Sequence, residues 1–466
     1  MAERRKESDS LGEVWVSAER LWGAQTERSL HNFPIGDHAV PRSVILALVS
    51  IKRAAAILNA ERGALPVEVS KAIIAACEEI LAGQHADEFP LSVWQTGSGT
   101  HTNMNVNEVI ANRASELLGG MRGSHKPVHP NDHVNMAQSS NDAFPSAVYI
   151  AGAQQALQDV VPATQALAAA FEKLEQRWRS MAKVGRTHLM DATPMTSGQE
   201  AGAWAAQLSA AAEDIAQAAT RLTELAIGAT AIGTGLNAPA HWGEAMAAAL
   251  SRDLNLPLSS ASNKFAAVSS HDGLLFVMGA YARLAAALTK MANDIRWLSS
   301  GPRCGLGELQ LPANEPGSSI MPGKVNPSQA EALVMVCMRV AGNHACAYLA
   351  ASSGALQLNV AKPLLALCLL ESGGLLAQAM NSFRQRCVDG LQVNAQATAH
   401  FVERTLMTAT ALSPLIGYDA AARLAKLAQA EDVTLRDVVL REGLLTAEQF
   451  DSTMQRAFGI PPLADT

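Results

Sequence analysis

The sequence predicts an all-α, mainly helical chain of three domains, with a central bundle of long helices. Three observations carry that expectation. Hydrophobic residues make up 48% of the 466 positions while aromatic residues supply only 5%, and alanine does much of the apolar work. That balance favours close-packed helices over a β-sandwich, which needs more aromatic and β-branched side chains. Apolar residues then recur at three- and four-residue steps through long mid-chain segments. Finally, loops rich in Gly, Asn, His and Pro are concentrated in the first third of the chain.

In chain order, residues 1–138 form the first zone, of short helices and polar loops that include Gly97 to Asn107 and Gly119 to Asn135. Residues 139–395 form the second, with helices expected over Gly198 to Ala226, His271 to Leu298, Ser328 to Ala351 and Leu364 to Gln385. In the second of these, Leu274, Phe276, Val277, Tyr281, Leu284 and Leu288 keep helical spacing. Helices of ~25 residues are ~38 Å long, so an elongated bundle is expected. Small residues around much of their circumference imply burial on several sides, against other subunits as well as within the chain. Residues 396–466 hold shorter, more charged amphipathic pieces such as Asp432 to Glu442, which read as a small helical domain.

The formal charge of −7 and the lack of a basic run argue against nucleic acid as a partner. Six cysteines without a C-x-x-C pair read as reduced thiols in a cytosolic compartment. Arg4, Arg5 and Lys6 are mixed with Glu3, Glu7 and Asp9, which suits neither a signal nor a transit peptide. The longest uncharged stretch, Val340 to Ala361, contains Asn343, His344, Ser352, Ser353, Gln357 and Asn359. It reads as a helix, a turn and a second segment rather than a membrane span. A cytoplasmic protein with no membrane partner is expected.

Chemistry concentrates in four loops. Gly317 to Pro327, G-S-S-I-M-P-G-K-V-N-P, is kept out of helix by glycine and proline. It offers a hydroxyl that exchanges a proton, a cation for a carboxylate, and the N–H groups of a helix start. The helix that follows has Asn326 as N-cap with Pro327 in its first position, or a Ser328–Glu331 capping box. Thr96 to Asn107 alternates glycines with hydroxyl residues, so Ser98 and Thr100 can face an anion; the plainer reading is a polar turn leading into a helix at Glu108. In Pro127 to Asp142, His129, Asp132 and His133 have ligand chemistry, but no further cluster completes a metal site. Ser139 to Asp142 begin the long helical zone, where capping and anion binding use the same N–H groups. His188, in Gly185 to Pro194, lies in a connection between helical segments and is available for acid–base work or simply solvated.

Together these segments resemble the class II fumarate hydratases, in the superfamily that also holds aspartate ammonia-lyase, argininosuccinate lyase and adenylosuccinate lyase. The resemblance rests on L-W-G-A-Q-T at Leu21 to Thr26, W-Q-T-G-S-G-T at Trp94 to Thr100 and H-P-N-D at His129 to Asp132. It continues through S-S-N-D at Ser139 to Asp142, G-R-T-H-L at Gly185 to Leu189, G-T-G-L-N at Gly233 to Asn237, the Gly317 to Pro327 loop and I-G-Y-D at Ile416 to Asp419. The ammonia-lyase typically has Gln where this chain has His188 and Ala where it has Gly323, so the hydratase is favoured. Aspartate ammonia-lyase, or a non-catalytic structural protein on the same scaffold, remains the alternative.

The resemblance implies reversible hydration of fumarate to L-malate in the tricarboxylic acid cycle, with no metal or organic cofactor. It implies that Ser318 takes the C3 proton, that His188 acts from the opposite face, and that Glu331 pairs with His188. Ser98, Gly99, Thr100, Ser139, Ser140, Asn141, Thr187, Ser319, Lys324, Val325 and Asn326 would bind the carboxylates and the water. A second, non-catalytic dicarboxylate site would map to Lys126, His129, Pro130, Asn131 and Asp132. A homotetramer is implied, with each active site drawn from three subunits. The chain departs from the family pattern at Lys126, where Arg is usual, and at His101 and Thr102, where Gln and Ser are. Ala266 and Gln357 likewise replace acidic residues.

Overall fold

The computed structural model describes residues 3–458, and they are mainly helical as expected. The chain opens on a short ribbon, β1 (Arg4–Asp9) antiparallel to β2 (Gly12–Ser17). Arg5 fastens it by donating to the carbonyls of Ser17 at 2.7 Å, Arg20 at 2.6 Å and Trp22 at 2.6 Å. α1 (Ala24–Asn32) follows Gly23, which offers no side-chain cap. Its cap comes from far along the sequence. The buried Glu108 carboxylate accepts from the N–H groups of Gly23 (2.9 Å), Gln25 (2.8 Å) and Thr26 (3.2 Å) and from the Thr26 hydroxyl (2.6 Å). Burial pushes that carboxyl up to about 7 despite those donors.

α2 (Arg42–Glu61) and α3 (Val67–Leu81) pack on α4 (Thr100–Leu117). Val44, Leu48, Ile51, Ile73, Val106, Val109 and Ile110 are wholly buried there. Each such side chain contributes about 1.5–3 kcal/mol. α4 begins at Thr100, not at Glu108, because Gly99 supplies a left-handed N-cap (φ 78°) and the Gln95 side chain takes the Thr102 N–H at 3.0 Å. Asn103, Asn105 and Asn107 therefore lie buried inside the helix, where their amides bond to Asn135 and Ser140, to Glu88 O and to Met104 Sδ.

After a single π turn at Pro130–Val134, α5 (Ser140–Gln155) runs through a second π turn, Ala156–Val160, into α6 (Val161–Arg177). β3 (Ala182–Thr187) and β4 (Met190–Thr196) then form an antiparallel hairpin. The expected helix to Ala226 is shorter: α7 (Ser197–Ala219) gives way to one 3-10 turn and to β5 (Glu224–Leu225). α8 (Trp242–Leu254) leads to β6 (Ser259–Ser260), which pairs parallel to β5. α9 (Lys264–Ser269), α10 (Asp272–Leu298), β7 (Leu309–Gln310), α11 (Ser328–Ser352) and α12 (Lys362–Arg386) follow. β8 (Gln392–Val393) pairs antiparallel to β7.

The last helices are α13 (Ala395–Arg404), α14 (Ala409–Ile416), α15 (Tyr418–Glu431), α16 (Leu435–Arg441) and α17 (Ala447–Ala457). Leu412, Leu424, Leu435, Val438, Val439 and Phe450 give α14 to α17 a core of their own.

The chain forms two compact units. One comprises the described part of Met1–Val161 with Glu213–Arg283 and Arg339–Leu376; the other comprises Pro162–Ala212, Leu284–Met338 and the described part of Ala377–Thr466. These units follow packing, whereas the zones split at 138/139 and 395/396 follow composition. Among the described residues, Arg42–Glu61, Asp272–Leu298, Ser328–Ser352 and Lys362–Gly390 are long and apolar enough to cross a membrane by length and composition.

Candidate functional site

In the first unit, the starts of α4 and α5 lie together. Gly99 packs on the Phe144 ring, and Gly97 passes so close to the Val360 carbonyl that any Cβ would collide with it. Ser98 is buried, and its hydroxyl lies 2.8 Å from that of Thr100. Ser139 caps α5: its oxygen accepts from Asn141 N at 3.2 Å, while its own N–H donates to Asp142 at 2.9 Å, so the capping expected of this segment takes the reciprocal form of a capping box. The Ser140 hydroxyl accepts from Asn103 Nδ2 at 3.2 Å. The Asn141 side chain donates to Ala231 O at 2.8 Å. Hydroxyls of both segments and two helix N-termini are thus gathered where a carboxylate can be held.

Three buried titratable groups support this cluster, and two of them, Lys52 and Lys362, were not singled out from sequence. Asp142 accepts from Gly228 N at 3.0 Å and Thr230 N at 2.9 Å, and burial still raises its carboxyl to about 6. Lys52 donates to Asn135 Oδ1 at 2.8 Å and Gln138 Oε1 at 2.9 Å, and burial lowers its ammonium to about 7. Lys362 donates to Asn141 O at 3.2 Å. A lysine on an apolar helix gives no motif; its one signal is a lone charge in an uncharged tract.

The residues ascribed to a second site also lie in this unit. His129 Nδ1 accepts from the N–H groups of Asn131 (3.2 Å) and Asp132 (3.1 Å), while His133 Nδ1 accepts from His129 N at 2.9 Å. Burial lowers the His129 pKa, with Asp132 opposing that shift and His125 adding to it. Pro130 is buried, whereas Lys126, Asn131 and Asp132 are exposed. Both His129 and His133 therefore use Nδ1 on the backbone, His129 as the cap of the π turn and His133 reaching back to the N–H of that cap.

In the second unit, Thr187 and His188 stand exposed at the tip of the β3–β4 hairpin. The connection between helices is thus a β-ribbon, whose two-residue turn gives His188 φ 59° and Leu189 φ 62°. Both angles belong to the turn type that normally takes Asn-Gly, so two bulky side chains are held where local preference disfavours them. The base of the ribbon is fixed by charge: Lys183 lies 2.6 Å from Glu200 and 3.1 Å from Glu308, and Arg186 lies 2.7 Å from Glu308. Burial raises the Glu200 carboxyl, with Lys183 opposing.

The Gly317 to Pro327 segment is closed on itself. Asn326 Nδ2 bonds to Gly317 O, so Asn326 ties the loop shut instead of capping α11, which begins at Ser328. No Ser328–Glu331 hydrogen bond forms among the described residues. Lys324 N donates to Met321 O at 3.2 Å, and Gly317 runs so close to Lys324 O that a Cβ cannot fit. Ser318 Oγ, half-buried, receives N–H groups from Ile320 at 3.3 Å and Met321 at 3.0 Å. Ser319, Lys324 and Val325 are exposed. Glu331 faces Arg296 at 3.8 Å, and among the described residues no bond or ion pair joins His188 to Glu331 or Ser318 within the chain.

Comparison with known proteins identifies the family. Residues 12–342 match the family described as Lyase, and residues 409–456 match that described as Fumarase C C-terminus. The class II fumarate hydratase of Thermosynechococcus vestitus is 54% identical, across 96% of this chain and 96% of its own. A class II fumarate hydratase of Pseudomonas aeruginosa is likewise 54% identical, with 96% of each chain covered. The crystal structure of recombinant class II fumarase from Schistosoma mansoni matches with a TM-score of 0.94 at 43% identity, covering 98% of this chain and 100% of that one. Agreement of this depth, along nearly the whole of each chain, makes this protein a member of the class II fumarate hydratase family.

Proposed function

We propose that Ser318 and His188 carry the reversible hydration of fumarate to L-malate from opposite faces of the substrate. The reaction follows from the family, and aspartate ammonia-lyase activity is not favoured. The hard step from malate is removal of a weakly acidic C3 proton beside a carboxylate. The C–H electron pair delocalises onto that carboxylate, which then carries almost two negative charges and needs preorganised donors. The pair returns to form the C2–C3 double bond as the C2–O bond breaks, and His188 protonates the departing hydroxide to water.

One observation supports Ser318 as base above all others: two backbone N–H groups already point at its oxygen. Such donors stabilise an alkoxide, as does the Lys324 cation in the same loop. Ser98 to Thr100, Ser139 to Asn141, Thr187, Ser319 and Lys324 to Asn326 bind the carboxylates and water in this reading, and Lys126 with His129 to Asp132 form the separate dicarboxylate site.

The same reading makes the enzyme a homotetramer whose sites are shared between subunits. Within one chain Glu331 faces Arg296, so its pairing with His188 belongs to contact between copies. Met335, Met338, Gly342, Ala345 and Leu349 form an exposed stripe along α11, with Met335 at 64% and Leu349 at 66%. A stripe this apolar, with the small Gly342 and Ala345 at its middle, suits helix packing against another subunit. Arg283, Lys290, Asp294 and Arg296 on α10 make a lipid environment the poorer alternative for these helices. Free thiols at all six cysteines fit a cytoplasmic enzyme of the tricarboxylic acid cycle.

The test is absorbance of the conjugated double bond with L-malate as substrate and L-aspartate in parallel. Fumarate from malate alone supports the reading. Fumarate only from aspartate overturns the assignment of His188.

A further inference from the structure

Lys362 stands where two local rules reject a lysine. It is the first residue of α12, where the helix dipole opposes a cation, and it is only 1% exposed. Burial lowers its ammonium to about 7, with Asp142 opposing that shift. It is also the single charged residue between Val340 and Leu370. Breaches of local preference of this kind concentrate at functional sites.

The position serves one geometric purpose. The Lys362 backbone N–H donates to Gly97 O at 3.1 Å, and its Nζ donates to Asn141 O at 3.2 Å. Gly97 leads directly into Ser98 to Thr100, and Asn141 closes Ser139 to Asn141. The backbone that delivers the lysine is itself pinned. Asn359 Nδ2 donates to Ala350 O at 3.0 Å, Asn359 N donates to Val268 O at 3.3 Å, and Asn359 Oδ1 takes Ala361 N at 2.8 Å. Val360 O fills the space beside Gly97 that a side chain would need. One residue thus holds both hydroxyl-bearing segments in register from beneath.

We infer that Lys362 is a positioning residue for substrate binding, fixing Ser139 to Asn141 against Ser98 to Thr100 so that their donors converge on one carboxylate. This rests on the proposal that these two segments bind substrate. Loss of the ammonium leaves both segments present but misaligned, which weakens ground-state and transition-state binding alike.

The experiment measures kcat and KM for L-malate in the assembled enzyme for Lys362→Met, Lys362→Gln and Ser140→Ala. The expected result is a KM about tenfold higher in Lys362→Met, with kcat within about threefold of wild type. Lys362→Gln, a neutral and shorter donor, falls between. If Ser140→Ala raises KM while both Lys362 variants lower only the Tm, the lysine is purely structural and the inference fails alone. If none of the three raises KM, the assignment of the two segments fails and takes the inference with it. If neither Lys362 variant folds, the lysine is a fold determinant and the inference is likewise overturned.

Discussion

The backbone N–H of Met321 donates to the hydroxyl oxygen of Ser318 at 3.0 Å, three residues back along the same loop. A hydroxyl that only donated outward would leave its lone pairs to solvent. Here the oxygen is met by protein donors before any substrate arrives, which lowers the cost of losing its proton. Ser318→Ala removes the base and leaves the loop's other bonds in place. We expect assembly unchanged and kcat lower by about a thousandfold. Near-wild-type turnover in that variant excludes Ser318 as the base.

Gly317 tests the shape of the same loop without touching its chemistry. A Cβ there collides with the backbone of Lys324, which cannot swing aside as a flexible side chain can. Gly317→Ala should displace Ser318 from Lys324, lowering kcat by about a hundredfold while helicity is retained. Circular dichroism and steady-state kinetics on one preparation decide it; wild-type kcat means that the loop's closure is irrelevant to catalysis.

His129 separates the two proposed dicarboxylate sites. Its Nδ1 caps a π turn through Asn131 and Asp132, away from the Ser139 to Asn141 cluster in sequence and bonding. His129→Asn should lower dicarboxylate binding at that turn, measured by calorimetry, with kcat at saturating L-malate within about twofold. Collapse of turnover shows the sites to be wrongly divided.

Glu79 predicts an acid limb of stability. Arg113 bonds to it at 2.6 and 2.8 Å and, with help from His85, holds its carboxyl down to about 2, against an ordinary 4.5. A carboxyl depressed in the folded state stabilises above its unfolded pKa, and that contribution disappears as pH falls from 4.5 towards about 2. Glu79→Gln should therefore lower Tm at about pH 6, with the difference from wild type shrinking below 4.5 and vanishing only as pH approaches about 2. A constant Tm difference across that range removes the ion pair from the account.

What the sequence revealed, and what it hid, divides along physical lines. The long helices were legible because period and length act locally: Asp272–Leu298 and Ser328–Ser352 lie within a residue of expectation. The start of α4 and the cap of α11 were misread because tertiary bonds decide them. Gln95 sets the first, and Asn326, turned back to Gly317, leaves the second uncapped by its own side chain. The β3–β4 ribbon escaped notice because a His-Leu pair is not a hairpin turn sequence; buried charges at Lys183, Arg186 and Glu308 hold it. Motif residues such as Ser98 and Ser318 could be named from the chain, but Lys52 and Lys362 act through folded neighbours and belong to no motif.

Glu108 has a consequence for how the protein is made. The donors of the first helix start at Gly23, Gln25 and Thr26 find their acceptor on a side chain more than eighty residues downstream. A nascent chain emerging from the ribosome therefore exposes the beginning of that helix before its partner has been synthesised. The Leu21 to Thr26 stretch must wait, open to chaperones or to wrong neighbours, until α4 is complete. The stretch, with Gly23, Ala24 and Thr26 around the carboxylate, then acts as a delayed latch that closes only on a later-made part of its own chain.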